Sequence, residues 1–330
     1  MTPVELAVLS TYGRFSREEI ERELSLEAFL RNANPKKAER FLKMGGLEKI
    51  EEQEELLKKA GAKALSFWDE GYPELLRNGV HPPLVLFVIG NANLLKEPSI
   101  SVVGTRKPTS YGVKVTREFV SELSKYFVIV SGMAYGIDAV AHEASLESGG
   151  KTVAVLGTGV DVVYPKTNEK LYRKITEKGC VVSEFLMGTG PKKHHFPARN
   201  RIIASLSVAT LVVEAPEKSG ALITANFAAD AGRDVFAVPG DVDRITSKGT
   251  NGLIKSGAYP LTDPRDVLER YGLRVRREEP QLEGEEEVVL EALKEGKSLE
   301  EVAETLGWEV QRVLSIVSAL ELKGFVRLSR

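Results

Sequence analysis

From Ser99 onward, short apolar runs alternate with amphipathic stretches, and this alternation narrows the possible folds more than any other feature of the chain. The runs are "ISVVG", "FVIVSG", "TVAVLG", "GCVVSE", "ATLVVEA" and "DVFAVPG". Between them lie "YGVKVTREFVSELSKY", "IDAVAHEASLES", "NEKLYRKITEKG" and "ALITANFAADAGR". Runs this short, β-rich and almost wholly apolar predict strands buried on both faces. Their alternation with helical segments predicts βαβ units in a doubly wound, mostly parallel sheet, an α/β fold. Sheets of this kind bind ligands beyond the carboxyl ends of their strands. The loops that follow the runs are therefore where function is to be sought.

At 330 residues the chain is long for a single core. Residues 1–62 read as short helices, with Pro3 one position after a Thr2 cap and Ser16 and Glu19 at capping-box spacing. They predict a small helical (SAM or helix-hairpin-helix-like) domain that serves either DNA-backbone binding or a structural, partner-binding role. Residues 63–271 form the α/β domain, which opens with an apolar strand over Leu84–Ile89. Residues 272–284 read as a charged linker. Residues 285–330 predict three helices and a strand-like "FVRLS", the outline of a winged helix. That last module carries ten acids against six bases. Its charge opposes major-groove reading and favours protein contact or a structural role.

Six loops follow the predicted strands. "VVGTRKPTSYG" turns at Gly104-Thr105-Arg106 towards a helix near Ser110, offering helix N–H groups and a guanidinium to an anion, or simply making a βα turn. "VSGMAYGIDAVAHEAS" has Gly132 and Gly136 around a turn. Asp138 and His142 stand four apart on the helix after it, spacing that suits an acid–base pair or two metal ligands, and equally a packing pair. "VLGTGVDVVYPKTN" begins a dinucleotide fingerprint at Gly157 and Gly159, but Val162 replaces the third glycine and Pro165 delays the helix, which argues against NAD. "VEAPEKSGALITA" opens a helix at Ser219-Gly220-Ala221, a further candidate anion site. The later "GDVDRITSKGTNGLIKSGA" carries an apolar Leu253-Ile254 pair suited to a loop, a lid or a subunit contact.

The remaining loop is "PKKHHFPARNRIIASLS". Lys192, Lys193, Arg199 and Arg201 supply cations and Phe196 a π-face, and no carboxylate occurs from Phe185 to Val213. The whole chain has a formal net charge of -2, yet Ser99 to Tyr271 holds 22 Lys and Arg against 18 Asp and Glu. Interleaved bases and aromatics suit single-stranded nucleic acid, where cations follow phosphates and unpaired bases stack. A basic surface loop is the simpler alternative. Adjacent His194 and His195 are poorly placed to converge on a metal. Cys180, the one cysteine, sits in a predicted buried strand, so neither an intramolecular disulfide nor a thiolate cluster is expected. With no signal-peptide pattern and no apolar run of membrane-spanning length, a cytoplasmic location is expected.

Taken together and in order, "VGTRKPTSYG", "VSGMAYGIDAVAHEASL", "GTGVDVVYPKTN", "HFPARNRIIASLS", "EAPEKSGALITANFAADAGRDVFAVPGD" and "GTNGLIKSGA" resemble the DNA-processing protein A (DprA/Smf) family. The likeness spans nearly the whole chain. It implies an extended Rossmann-like domain that binds single-stranded DNA without catalysing a reaction, protects incoming strands in natural transformation and helps load the RecA recombinase. It also implies a homodimer formed through that domain. The resemblance places DNA contacts at Gly104, Thr105, Arg106 and Lys107, at Gly132, at Lys192, Lys193, Phe196, Arg199, Asn200 and Arg201, and at Ser219 and Gly220. Arg106 and Lys193 would meet phosphate, and Phe196 would stack on a base. Leu253 and Ile254 become candidates for dimer or recombinase contact. No cofactor, metal or catalytic residue is implied. The rival class is a Rossmann-like nucleotide-processing enzyme of the phosphoribohydrolase type. Such enzymes carry a Pro-Gly-Gly-x-Gly-Thr loop with a following glutamate, whereas this chain has "EAPEKSGALITA".

Overall fold

A computed structural model describes residues 1–21, 25–273, 282, 284–322 and 325–326. The chain divides into two compact units, Met1–Gly272 and Leu273–Arg330. In the first unit nine strands form one sheet: β1 (Lys63–Ser66), β2 (Val85–Gly90), β3 (Ser99–Val103), β4 (Val128–Ser131), β5 (Thr152–Val155), β6 (Cys180–Ser183), β7 (Ala209–Val212), β8 (Asp234–Ala237) and β9 (Tyr259–Pro260). Their spatial order is β1-β2-β6-β5-β4-β3-β7-β8-β9. From β6 to β9 every pairing is parallel, while β1–β2 and β2–β6 are antiparallel. The expected doubly wound, mostly parallel α/β sheet is thus present, and each apolar run after Ser99 forms a strand.

The central strands are almost wholly apolar because both faces are covered. Along β2, Phe87 joins one core while Leu86 and Val88 join the other; along β5, Ala154 faces the first and Val153 and Val155 the second. This is the period-two alternation of a strand between two layers. Ile202 and Ile203 of the His195–Leu206 helix and Ala221 and Ala225 of the Gly220–Asp230 helix fill the second core. The first core also takes in Val4, Leu6, Val8, Phe29 and Phe41 from the N-terminal helices. The described residues of 1–62 therefore pack on the sheet and share its core.

Chain order reverses between β3 and β7. From β3 the chain winds outward through β4, β5 and β6, then returns to place β7, β8 and β9 on the other side. Neighbouring loops leave in opposite directions at such a point and open a crevice at the strand ends.

In the second unit three helices, Gly284–Lys294, Leu299–Leu306 and Val310–Leu322, enclose Val289, Val302, Val313, Val317 and Leu320. Ser298 and Glu301 form the expected capping box. Most of the 272–284 linker and the last residues of "FVRLS" lie outside the described residues; Phe325 and Val326 are described and are not in a strand. Among the described residues no helix is long and apolar enough to cross a membrane.

Candidate nucleic-acid interface

A groove of about 660 Å³ lies at the carboxyl ends of the parallel strands. Five strand-end segments line it. Gly104, Thr105 and Arg106 follow β3, Asp138 follows β4, and Tyr164 follows β5. Lys193, Phe196, Arg199 and Asn200 follow β6, and Lys218, Ser219 and Gly220 follow β7. A smaller cavity beside it is lined by Gly132, Tyr135, Gly157 and Tyr164 as well as Arg106, Phe196 and Arg199. Sequence segments up to about a hundred residues apart thus converge because parallel strands all end on one edge.

Among the described residues, Arg106, Lys193 and Lys218 are exposed and form no ion pair. Their charges therefore face solvent and the groove without a direct ion-pair partner, and Arg106 feels a nearby carboxylate, the buried Asp138. The carboxylates nearby are differently placed. Glu214, 2% exposed, accepts from the Thr109 amide at 2.9 Å, the Thr109 hydroxyl at 2.8 Å and the Thr246 hydroxyl at 3.1 Å. Asp138 is buried and receives backbone hydrogen bonds from Gly132 and Ala134, yet desolvation still raises its carboxyl above the ordinary range.

Glu214 corrects one expectation. The start of the Ser110–Leu123 helix was a candidate anion site. The Thr109 hydroxyl caps that helix through the Gly112 amide at 3.2 Å, and Glu214 lies against the same end; a Cβ on Gly112 would overlap its carboxylate. The protein's own anion occupies the positive end of the helix, where a carboxylate is electrostatically favoured. What the β3 loop offers a ligand is Arg106 and the Gly104-Thr105 turn. The Gly220–Asp230 helix does open into the groove, with the Ser219 hydroxyl accepting from the Ala221 amide at 3.2 Å.

The basic segment splits by helical phase. Lys192 and Lys193 are exposed ahead of the His195–Leu206 helix, but Lys193 alone of the two lines the groove. Arg199 points into the protein, 4% exposed, and its Nη1 donates to Gly132 O at 2.6 Å and to Val155 O. Desolvation lowers its pKa to about 10, against the attraction of Asp138. A Cβ on Gly132 would overlap that guanidinium. Gly132 is thus a glycine that admits Arg199, and it is buried. Arg201 turns the other way and forms a bidentate pair with Glu184 at 2.7 and 2.6 Å, with further bonds to His81 O and Ala198 O. It does not line the groove, and neither do Lys107, Leu253 or Ile254. Leu253 instead packs at the edge of the second core, on the Lys248–Lys255 helix that also carries Ile254.

Phe196 is half-buried. Its ring lies on Gly157, where an added Cβ would stand 2.9 Å from Cδ1. The Arg106 guanidinium sits over it at 5.8 Å from the ring centre, and the Tyr164 ring lies 5.5 Å away at 38°. His195 stacks on Phe185 at 3.9 Å and its Nδ1 meets Gly157 O at 3.1 Å, so it is a packing residue. Tyr164, Tyr135 and Lys218 also line these cavities and carry no motif in the sequence. Their only signal was position, an aromatic or a base in a strand-end loop.

Asp138 and His142 do not form an acid–base pair facing solvent. His142 is fully buried, its Nδ1 is 2.6 Å from the Thr152 hydroxyl, and burial with the nearby Arg199 charge lowers its pKa to about 3. The Thr152 hydroxyl itself donates to Ile129 O, so the imidazole carries its proton on Nδ1. Among the described residues no group of three or more His, Cys, Asp or Glu is arranged to hold a metal ion.

Known proteins share this architecture. The DNA processing protein DprA of Streptococcus pneumoniae is 46% identical over 208 residues, covering 63% of this chain and 74% of the relative. Protein Smf of Escherichia coli is 38% identical over 272 residues, covering 78% of this chain and 73% of its own length. The crystal structure of the Streptococcus pneumoniae protein superposes with a TM-score of 0.67 at 39% identity, over 81% of this chain and 93% of that one. The structure of DNA processing protein A from Helicobacter pylori, described for its unique single-stranded DNA binding mode, superposes with a TM-score of 0.58 at 30% identity, over 64% of this chain and 95% of that one. The DprA winged helix domain matches residues 276–328. The model of DNA recombination-mediator protein A matches residues 63–272, the sheet whose strand ends build the groove, and the chain belongs to that family.

Proposed function

We propose that this protein binds single-stranded DNA in the strand-end groove and catalyses no reaction on it. The observation that carries the reading is the groove's combination of unpaired cations and a positioned aromatic ring, with Arg106, Lys193 and Lys218 around Phe196. Phosphates repeat along a strand, and cations on three separate loops suit a chain of them better than one small anion. The carboxylate arrangement supports a binding role over the phosphoribohydrolase alternative. Glu214 is tied to Thr109 and Thr246, and Asp138 is held by backbone amides.

In the cell, the proposed role is protection of incoming single strands in the cytoplasm during transformation and recombination, with loading of RecA recombinase and a homodimeric state. Family membership and the solved relative described for single-stranded DNA binding support the DNA-binding part of this role, and the remainder follows from the family resemblance. The test is a titration of oligo-dT against a matched duplex, with and without RecA. Tighter binding of oligo-dT is expected, and equal affinity for the two would remove the groove reading. Incubation with nucleoside monophosphates is expected to release no free base.

A further inference from the structure

Phe196 is not an isolated platform. One side of its ring is closed by Gly157, close enough that a Cβ there would stand 2.9 Å from Cδ1 and 3.1 Å from Cε1. Arg106 stands over the ring at 5.8 Å, and Tyr164 adjoins it at 5.5 Å with a 38° tilt. Arg106 and Tyr164 thus both adjoin the Phe196 ring, which rests on the Gly157 backbone. Of the two rings Tyr164 is the more open: it is 41% exposed, whereas Phe196 is half-buried. Tyr164 lines both the main groove and the small cavity beside it. No hydrogen bond to its hydroxyl draws it elsewhere among the described residues.

We propose that Tyr164 is a second base-stacking residue, which receives the nucleobase adjacent to the one at Phe196. The proposal rests on the single-strand reading of the groove and adds to it a residue outside the basic segment, on the β5 loop. Consecutive bases on a single strand stack on aromatic rings regardless of sequence because every base has a π-face. An exposed ring next to Phe196, with Arg106 charged nearby, offers such a contact while the backbone follows Lys193 and Lys218. Tyr164 contributes no charge, so it adds affinity without adding a released counterion.

The test separates direct stacking from support of Phe196. Tyr164→Ala is expected to weaken oligo-dT binding about 5- to 150-fold, the value of one base stack, with the salt slope unchanged. Tyr164→Phe should bind like the native protein, because the ring and not the hydroxyl makes the contact. Tyr164→Leu keeps a side chain against Phe196 but has no π-face, and it should bind as weakly as the alanine variant; native affinity in the leucine variant would overturn stacking. Tyr164→Trp supplies the direct readout. Its tryptophan emission should be quenched on adding oligo-dT, beyond any change the native protein shows from Trp68 and Trp308. Unchanged emission at saturating oligo-dT would overturn the proposal. If the native protein itself fails to bind oligo-dT, the groove reading falls; if it binds and only the Tyr164 results are negative, this inference falls alone.

Discussion

Arg106 and Arg201 are both arginines near strand ends, and the structure predicts opposite consequences for their loss. Arg106 is exposed, lines the groove and forms no ion pair among the described residues. Arg201 is 14% exposed and locked to Glu184, itself 19% exposed, by two hydrogen bonds. Removing a phosphate contact from a single-strand complex flattens the log–log dependence of affinity on salt by about 0.7. Arg106→Ala should therefore bind oligo-dT more weakly and lose about 2.6-fold less affinity than the native protein between 50 and 200 mM salt. With Lys193→Ala added, the slope should fall by about 1.4, roughly a sevenfold difference over the same range. Arg201→Ala should leave the slope unchanged. Its cost appears in folding, because Glu184 is left unpaired at a mostly buried site. A loss of about 3 kcal/mol is expected, at the low end for a broken buried pair since the site keeps some solvent contact. The assays are fluorescence anisotropy at four or more salt concentrations and urea unfolding of each variant. A slope reduction for Arg201→Ala equal to that for Arg106→Ala, with unchanged stability, would refute the assignment of the two arginines.

Three further expectations test the frame of the site. Gly157→Ala places a methyl 2.9 Å from the Phe196 ring and should weaken oligo-dT binding by about 1–3 kcal/mol, measured by the same anisotropy titration. Glu214→Ala strands the Thr109 amide and the Thr109 and Thr246 hydroxyls and should cost about 3 kcal/mol in urea unfolding, with an unchanged midpoint counting against these hydrogen bonds. His142 titrates near 6.5 when unfolded and near 3 when buried, so the unfolded state binds the extra proton between those values. Native stability should then fall as pH drops through that window, by up to about 1.4 kcal/mol per unit from this residue, and His142→Gln should show a shallower acid loss.

The sheet was readable because its cause is local. A strand buried on both faces must be almost wholly apolar, and "TVAVLG" or "GCVVSE" shows this in isolation. The two short edge strands were not readable. β1 "KALS" is partly exposed and β9 is the two residues Tyr259 and Pro260, so neither carries a burial pattern. The groove was half readable. Gly104, Arg106, Lys193, Phe196, Ser219 and Gly220 were expected from loops that follow apolar runs, and all of them line it. Tyr164 and Lys218 were missed because a single aromatic or lysine in a loop has no pattern until other loops surround it.

What local chemistry decides is composition by segment: which stretches are buried, which turns admit glycine, and where carboxylates are kept away from cations. What folding decides is direction. Within "ARNR" the helix turns Arg199 inward to the Gly132 carbonyl and swings Arg201 across to Glu184, leaving Lys193 ahead of the first turn to face the groove. In the linear chain the three are equivalent cations. Glu214 likewise reads as a strand-end acid, yet packing brings it to the start of a helix more than a hundred residues earlier, where it takes the place a ligand anion was expected to fill. The reason is physical. Burial preference is a property of each side chain, whereas a charge's role depends on the nearest opposite charge or dipole, and here those partners come from other strands.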